Sequence, residues 1–275
     1  MEAPDAASRT RAEAHGPDAE VLAIERVAFD AWPAAEVRAL GGWRLRFNHG
    51  VTSRGSSVWP GPGENGPALD ARLEAVERFY AERGAAASYQ LSPAADPPEL
   101  DAVLAARGYE KSALVSVELA STAGVASLAA PPGMEARCDE TLSEEWFELS
   151  GRHGRFAGEA VGVYRAMLGR LSGRAGFALA RAGGTVAAAG LAVASPPWVG
   201  VFSMLTLPAW RGKRLGEAVL GAIARWAQAR GASRLYLQVE ADNVAARRLY
   251  ARVGFEPRYP YHYRRQAAPP EGAPS

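Results

Sequence analysis

Hydrophobic positions in the C-terminal half recur with two clear periods. From about Gly212 to Arg230, the residues Leu215, Val219, Ile223 and Trp226 fall on one helical face, and Gly231 stops the helix. Leu235, Leu237 and Val239 then alternate with Tyr236, Gln238 and Glu240, the two-residue period of a strand with one apolar and one polar face. Asp242 or Asn243 caps a last helix in which Leu249 and Val253 pack inward and Gly254 marks the end. Tyr259, Tyr261 and Tyr263 line one side of a final strand.

Upstream of these, Trp146, Leu149, Val163, Met167 and Leu171 keep helical spacing across a segment broken by the glycines from Gly151 to Gly158. Phe177 to Arg181 and Thr185 to Ala194 are strands joined at Gly183-Gly184, a hairpin signal, and Val199 to Leu207 is the next strand, closed by Pro208. The N-terminal half repeats this order in worn form. Trp43 to Phe47 and Ser57 to Trp59 read as strands, Leu69 to Glu82 as a helix and Ala87 to Leu91 as a strand. Glu99 to Ala106 is a helix stopped by Gly108, and Leu114 to Leu119 a strand. The stops at Gly84 and Gly108 echo those at Gly231 and Gly254, as an internal duplication would produce.

These elements predict an α/β chain. Small residues bracket a connector between Ala120 and Gly133, which places one domain at 19–122, a linker at 123–133 and a second domain at 134–265. The segments 1–18 and 266–275, rich in Ala, Pro, Gly and Ser, are expected to be disordered.

Composition narrows the partners. A chain of 275 residues is long enough for two ordinary domains, and 48% hydrophobic with 22% charged residues fits a soluble protein with a core. A net charge of +1 provides no global field for nucleic acid or an acidic membrane, so neither is expected as a partner. No window approaches ~20 uninterrupted apolar residues, and the N-terminus lacks an apolar secretion core, so a cytoplasmic protein is expected. Cys138 is the single cysteine and excludes an intrachain disulfide; it reads as a small apolar residue. His49, His153 and His262 show no ligand spacing, so no metal site is expected.

Chemistry concentrates at Pro208-Ala209-Trp210-Arg211-Gly212-Lys213-Arg214-Leu215-Gly216, a basic turn between a strand and a helix. A diphosphate needs converging N–H donors, little side-chain obstruction and positive potential. The turn offers Gly212 and Gly216, the N-terminus of a helix, and the cations Arg211, Lys213 and Arg214. In the last helix, Asn243 and Tyr250 lie about two turns apart and therefore on one side, away from Leu249 and Val253. A tyrosine on that non-core side, beside the strand ending at Glu240, is suited to donate a proton into a cleft.

Arg211-x-x-Arg214-x-Gly216 followed by Asn243-x-x-Ala246-x-x-x-Tyr250-x-x-x-Gly254-Phe255 resembles the GNAT-type N-acetyltransferase superfamily over about Met134 to Arg265. Arg214 departs from it, standing where the family usually has Gly. The resemblance implies two tandem GNAT-like domains, each a mostly antiparallel twisted sheet flanked by helices. It implies acetyl-CoA as co-substrate in a notch beside the strand ending at Thr206. The backbone of Met204, Leu205 and Thr206 would hold the pantetheine arm, and Asn243 would reach its end. The turn Arg211, Gly212, Lys213, Arg214, Leu215, Gly216 and Glu217 would hold the pyrophosphate. Tyr250 would protonate the departing thiolate.

The family often places a basic carboxylate five residues before the Asn; here that residue is Gln238, which is no base, and Glu240 on the same strand face or a bound water takes the role. The implied reaction is direct attack by a primary amine, of a small molecule or peptide, on the thioester. The alternative is a noncatalytic acyl-CoA-binding or sensing protein whose N-terminal module docks a partner. Glu144, Glu145, Glu148 and Glu159 hint at a cationic acceptor, and His262 at an acceptor pocket, while the sequence sets no oligomeric state. At the matching turn of the N-terminal half, Trp59-Pro60-Gly61-Pro62-Gly63-Glu64-Asn65-Gly66-Pro67, three prolines remove N–H donors and Glu64 brings the wrong charge. That half resembles the degenerate halves of tandem GNAT-like proteins. It is expected to bind no coenzyme and to serve as scaffold or as one wall of the acceptor site.

Overall fold

The computed structural model describes residues 18–63, 66–154 and 156–267. Glu64 and nearly all of both end segments expected to be disordered therefore lie outside the described residues. Order extends slightly further than expected at each end. Asp18 caps the first helix by accepting from the amides of Glu20 and Val21, and the Gln266 amide donates to the Ala87 carbonyl.

The N-terminal series runs α1 (Ala19–Asp30), β1 (Glu36–Leu40), β2 (Trp43–Phe47), β3 (Val58–Pro60), α2 (Leu69–Ala81), β4 (Ser88–Leu91), α3 (Leu100–Ala106) and β5 (Glu110–Ser121). A short α4 (Thr122–Ala126) leads to β6 (Met134–Asp139), α5 (Glu144–Arg152), α6 (Glu159–Gly169), β7 (Ala175–Ala182), β8 (Thr185–Ser195) and β9 (Trp198–Thr206). A 3-10 turn at Pro208–Trp210, α7 (Leu215–Gln228), β10 (Arg234–Glu240), α8 (Val244–Arg252) and β11 (Glu256–Arg265) complete the chain. The spacing had predicted most of these; α1, β1, α4 and β6 carry too short or too mixed an apolar pattern to be read from it.

The strands form one sheet in the order β1-β2-β3-β4-β11-β5-β10-β9-β8-β7-β6. In the first series β1, β2 and β3 are antiparallel neighbours, and β3 pairs in parallel with β4 across the helix α2. In the second, β7, β8 and β9 are antiparallel neighbours, and β9 pairs in parallel with β10 across the helix α7. The same connectivity thus occurs twice. The last strand of each series lies beside the other series: β5 pairs with β10, and β11 pairs with both β4 and β5. By chain order β11 belongs to the second series, yet it lies between β4 and β5 of the first.

Three apolar clusters surround the sheet. One, on the face covered by α1, α5 and α6, joins residues of both series, including Ile24, Trp32, Val117, Trp146, Tyr164, Phe202, Tyr236 and Tyr261. A second packs α7 and α8 on β8, β9 and β10, and a third packs α2 and α3 on β2, β3 and β4. A polar group crosses the first of these. Glu25 is buried and pushed upward in pKa chiefly by desolvation; it accepts from the Tyr259 hydroxyl at 2.7 Å and from the Gln90 amide at 3.3 Å. Arg46, also buried, donates to Gln90 at 3.1 Å and so ties α1, β2, β4 and β11 together.

Candidate active site

β9 and β10 pair only from Trp198–Arg234 to Val201–Leu237, although β9 runs on to Thr206 and β10 to Glu240. Beyond Val201 the two strands therefore part, and the edge of Phe202 to Thr206 that faces β10 has no β10 partner. The cause is local. Ser203 has φ of 49°, in the left-handed region, and the β8–β9 register slips there, with Leu191 opposite Phe202 but Ala189 opposite Leu205. Such a bulge bends its strand and leaves ladder groups unpaired. The Tyr164 hydroxyl on α6 shares a 2.8 Å hydrogen bond with Ser203 Oγ and a 3.3 Å one with Ser150 Oγ, which pins the bulge from the α5–α6 face.

The opening is a cleft of about 750 Å³ that passes from one face of the sheet to the other. Asn243, Ala246 and Tyr250 line it on the α8 side, whereas Trp32, Phe156, Phe202, Tyr261 and Tyr263 line it on the α1/α6 side. Of the residues expected from sequence, Met204, Leu205, Arg211, Glu240, Asn243 and Tyr250 meet in this one cleft. Thr206 follows Leu205 along the strand. Gly212, Lys213, Arg214, Leu215, Gly216 and Glu217 form the turn that continues from Arg211.

That turn is built as an N-terminus. The helix begins at Leu215, three residues later than expected, and its first backbone bond runs from the Ala218 amide to the Arg214 carbonyl. The amides from Gly212 to Glu217 therefore precede the ladder and form the positive end of a 14-residue helix. Gly212 has φ of +76° and Arg214 of +61°. The arginine thus holds the left-handed conformation for which the family's usual glycine is suited, at a cost of about 1–2 kcal/mol.

Three cations ring the turn, each with a neighbour. Arg211 Nε donates to the Thr206 carbonyl at 3.4 Å, Lys213 Nζ lies 4.5 Å from the Trp210 ring centre, and Arg214 Nε is 2.7 Å from Glu217. Glu217 was expected to contribute to phosphate binding. Its buried carboxylate instead joins Arg214 to Arg252 on α8, leaving only its amide at the anion end. A Cβ at Gly216 would meet Leu249 Cδ2 at 2.9 Å, so the bareness of this position also lets Leu249 of α8 sit close to α7. Leu215 is buried and belongs to the core.

Tyr250 is placed differently from the expectation. It is not on a non-core side: it is 8% exposed and packs with Val253 and Phe255 while its edge reaches the cleft. Burial, and secondarily the charge of Glu118, push its hydroxyl up to about 12, so it is protonated at neutral pH. Asn243 caps α8, its Oδ1 accepting from the Ala246 amide at 3.1 Å, and its own amide donates to the Glu240 carbonyl at 3.0 Å. Glu240 is half-buried at the cleft wall, and Gln238 on the same strand face accepts from the Tyr261 hydroxyl at 3.3 Å.

The acceptor-side candidates His262 and the glutamates of α5 and α6 lie elsewhere. His262 bonds to Asp101 on α3 at 2.9 Å and does not line the cleft. Glu144 and Glu145 pair with Arg165 and Arg181, and neither they nor Glu148 and Glu159 line it either. Cys138 is half-buried, with burial pushing its thiol up to about 12, as an inert residue would be. Among the described residues no helix is long and apolar enough to cross a membrane, and no group of three His, Cys, Asp or Glu could hold a metal.

The sequence reading missed the Ser203 bulge, Tyr164, Glu118, and the N-terminal contributors Trp32, Thr52 and Arg54. No spacing signal exists for them, because each acts through a partner brought near only by the sheet.

Residues 18–265 match the family described as "Probable histone acetyltransferase Rv0428c C-terminal". The chain is 31% identical over 249 residues to the uncharacterized N-acetyltransferase YobR of Bacillus subtilis (strain 168), covering 89% of this chain and 98% of that protein. Two solved structures share the fold. A GCN5-related N-acetyltransferase from Kribbella flavida has a TM-score of 0.68 at 18% identity, covering 93% of this chain and 98% of that one. A tandem GNAT protein from the clavulanic acid biosynthesis pathway has 0.59 at 19%, covering 74% and 70%. The parted strands, the bare helix start after a basic turn and the tyrosine at their junction agree with these likenesses, and the chain belongs to the Rv0428c-type family of GNAT acetyltransferases.

Proposed function

We propose that this chain transfers the acetyl group of acetyl-CoA to a primary amine by direct attack of the amine on the thioester. The single observation that carries the reading is the convergence, in one through-sheet cleft, of an open strand edge, a helix start with free amides and a protonated tyrosine. The residues fit the coenzyme. The amides of 212–217 and the cations Arg211 and Lys213 suit its diphosphate, and the open edge of Met204, Leu205 and Thr206 suits the amide-bearing pantetheine arm. Acetyl-CoA supplies an activated acyl carbon and a thiol leaving group.

The chain supplies orientation and proton management. Asn243 and the β9 edge set the thioester against the gap between the strands. Glu240, directly or through a water, accepts the proton that an ammonium acceptor must lose before it can attack. Tyr250 returns a proton to the departing sulfur. Burial pushes that hydroxyl up to about 12 and so keeps it in the protonated form a donor needs at neutral pH.

The two domains, 19–122 and 134–265 with the linker 123–133, divide the work in this reading. The second holds the coenzyme; the first supplies Trp32 and the 51–54 loop as the far wall of the acceptor side. Mixing the protein with acetyl-CoA and a panel of amines should release free thiol only when an acceptor amine is present. Coenzyme binding without amine-dependent thiol release across the panel would instead identify an acyl-CoA-sensing protein.

A further inference from the structure

The acceptor side of the cleft contains a guanidinium that the reaction above does not use. Arg54 lies on the loop between β2 and β3 and lines the cleft together with Trp32, Phe202, Tyr261 and Tyr263. Its guanidinium carbon is 5.2 Å from the Trp32 ring centre and 5.4 Å from that of Phe202. Its Nε is shut off from solvent and has no hydrogen-bond partner, while the Tyr261 hydroxyl is the neutral polar neighbour of the guanidinium. Among the described residues no ion pair engages it. Glu25, which borders the same small polar gap, already accepts from Tyr259 and Gln90. The Tyr236 hydroxyl nearby is likewise buried without a partner.

The loop that presents Arg54 is held at several points. Buried Asn48 accepts from the Ala35 amide at 3.1 Å, and its own amide donates to Ser56 Oγ at 3.1 Å. The Trp32 indole donates to Thr52 Oγ1 at 3.1 Å, and the same oxygen accepts from the Gly55 amide at 3.0 Å. Such cross-bracing fixes the loop that carries Arg54 in advance of any ligand, as a recognition residue requires.

An arginine stays charged under all physiological conditions, and a half-buried guanidinium with one nitrogen sealed off and no counter-ion is poorly solvated. Two aromatic faces offset part of that deficit. What completes the site is an anion, and the planar fork of donors matches a carboxylate. The coenzyme's phosphates are accounted for on the opposite side of the sheet, at the turn before α7. Resting on the acetyl-transfer reading, we infer that Arg54 recognises the acceptor and that the acceptor is a small amine carrying a carboxylate on an apolar or aromatic body. The amine faces the gap between β9 and β10, the carboxylate meets Arg54, and the aromatic walls cover the remainder.

The test uses matched pairs that differ only in the carboxylate: phenylalanine and phenethylamine, tryptophan and tryptamine, leucine and isoamylamine, with a lysine-containing peptide as a further arm. Binding is measured calorimetrically on the CoA-saturated protein, and turnover by thiol release. Wild type should favour the carboxylated member of at least one pair by about 10²-fold in kcat/KM. Arg54→Met should abolish that preference through KM while leaving kcat and the acetyl-CoA Kd within about threefold. Arg54→Lys, which keeps the charge but loses the fork, should restore it only in part. Thermal unfolding midpoints of both variants confirm that each is folded.

Equal or better use of the carboxyl-free amines or the peptide by wild type overturns the inference, as does equal weakening of all ligands or of acetyl-CoA in Arg54→Met. The two readings fail separately. Arg54-dependent binding of a carboxylated amine without thiol release keeps this inference and removes acetyl transfer; thiol release with carboxyl-free amines alone does the reverse.

Discussion

At Tyr250 two demands meet, since a hydroxyl that must donate a proton is also packed against Val253 and Phe255. Its folded pKa of about 12 lies above the ordinary 10.0, so the protonated form is intact throughout the neutral range. The phenol therefore imposes no descending limb on kcat below about pH 10, and a pH–rate profile checks this directly. Tyr250→Phe keeps the ring and removes the proton. It should lower kcat by about 10²–10³-fold with little change in the Kd of acetyl-CoA, and an unchanged rate would remove Tyr250 from the acid role. The spacing in sequence showed that Asn243 and Tyr250 share a side. It could not show that the side is half core, because the surroundings of the phenol are set by the fold and include the charge of Glu118 from a distant strand. Arg54 was hidden for the same reason: nothing in a polar loop of Thr52, Ser53 and Arg54 indicates that Trp32 and Phe202 will enclose it.

Elements with strong periodicity were legible, and those with a weak pattern were not. Leu215, Val219, Ile223 and Trp226 announced α7, and the run Leu235, Leu237 and Val239 announced β10. The five-residue β1 and α4 offer too few positions for a period to emerge, and β6 alternates between half-buried and exposed residues only. The bulge at Ser203 breaks register by one residue, a change that leaves no mark on composition. At the α7–α8 junction, Gly216 was legible as a glycine of the turn, but its closeness to Leu249 was not. Gly216→Val would drive Leu249 away and should lower stability by about 1–3 kcal/mol, read by denaturant unfolding. It should also weaken acetyl-CoA binding, because the displaced α8 carries Asn243.

Over the whole molecule the exchange of β5 and β11 makes the two series interdependent. The internal order seen in sequence anticipated two similar series; it held no information on which sheet the last strand would join, because β11 alternates equally well in either. Residues 134–265 expressed alone would leave β11 without β4 and β5 and should fail to fold, and the full chain should unfold in a single transition by both fluorescence and circular dichroism.

Alkali should act on the same structure. Burial raises the hydroxyls of Tyr80, Tyr89, Tyr236, Tyr250, Tyr259 and Tyr263 above the ordinary 10.0. Their stabilising contribution is whole below pH 10 and is lost as pH rises further, since the unfolded chain then gives up protons that the folded chain retains. Unfolding free energy should fall from about pH 10 upward, with tyrosinate absorbance appearing together with unfolding.

The central claim is that the bare amides after Trp210 and the open edge of β9 hold a coenzyme across the gap in the sheet. Backbone amide NMR during an acetyl-CoA titration tests it most directly. The amides of Gly212 to Glu217 and of Ser203 to Thr206 should shift together along one saturable curve, while those of Pro60's loop neighbours Gly61 and Gly63 stay in place. Saturation with the turn and strand-edge amides unmoved would contradict the account.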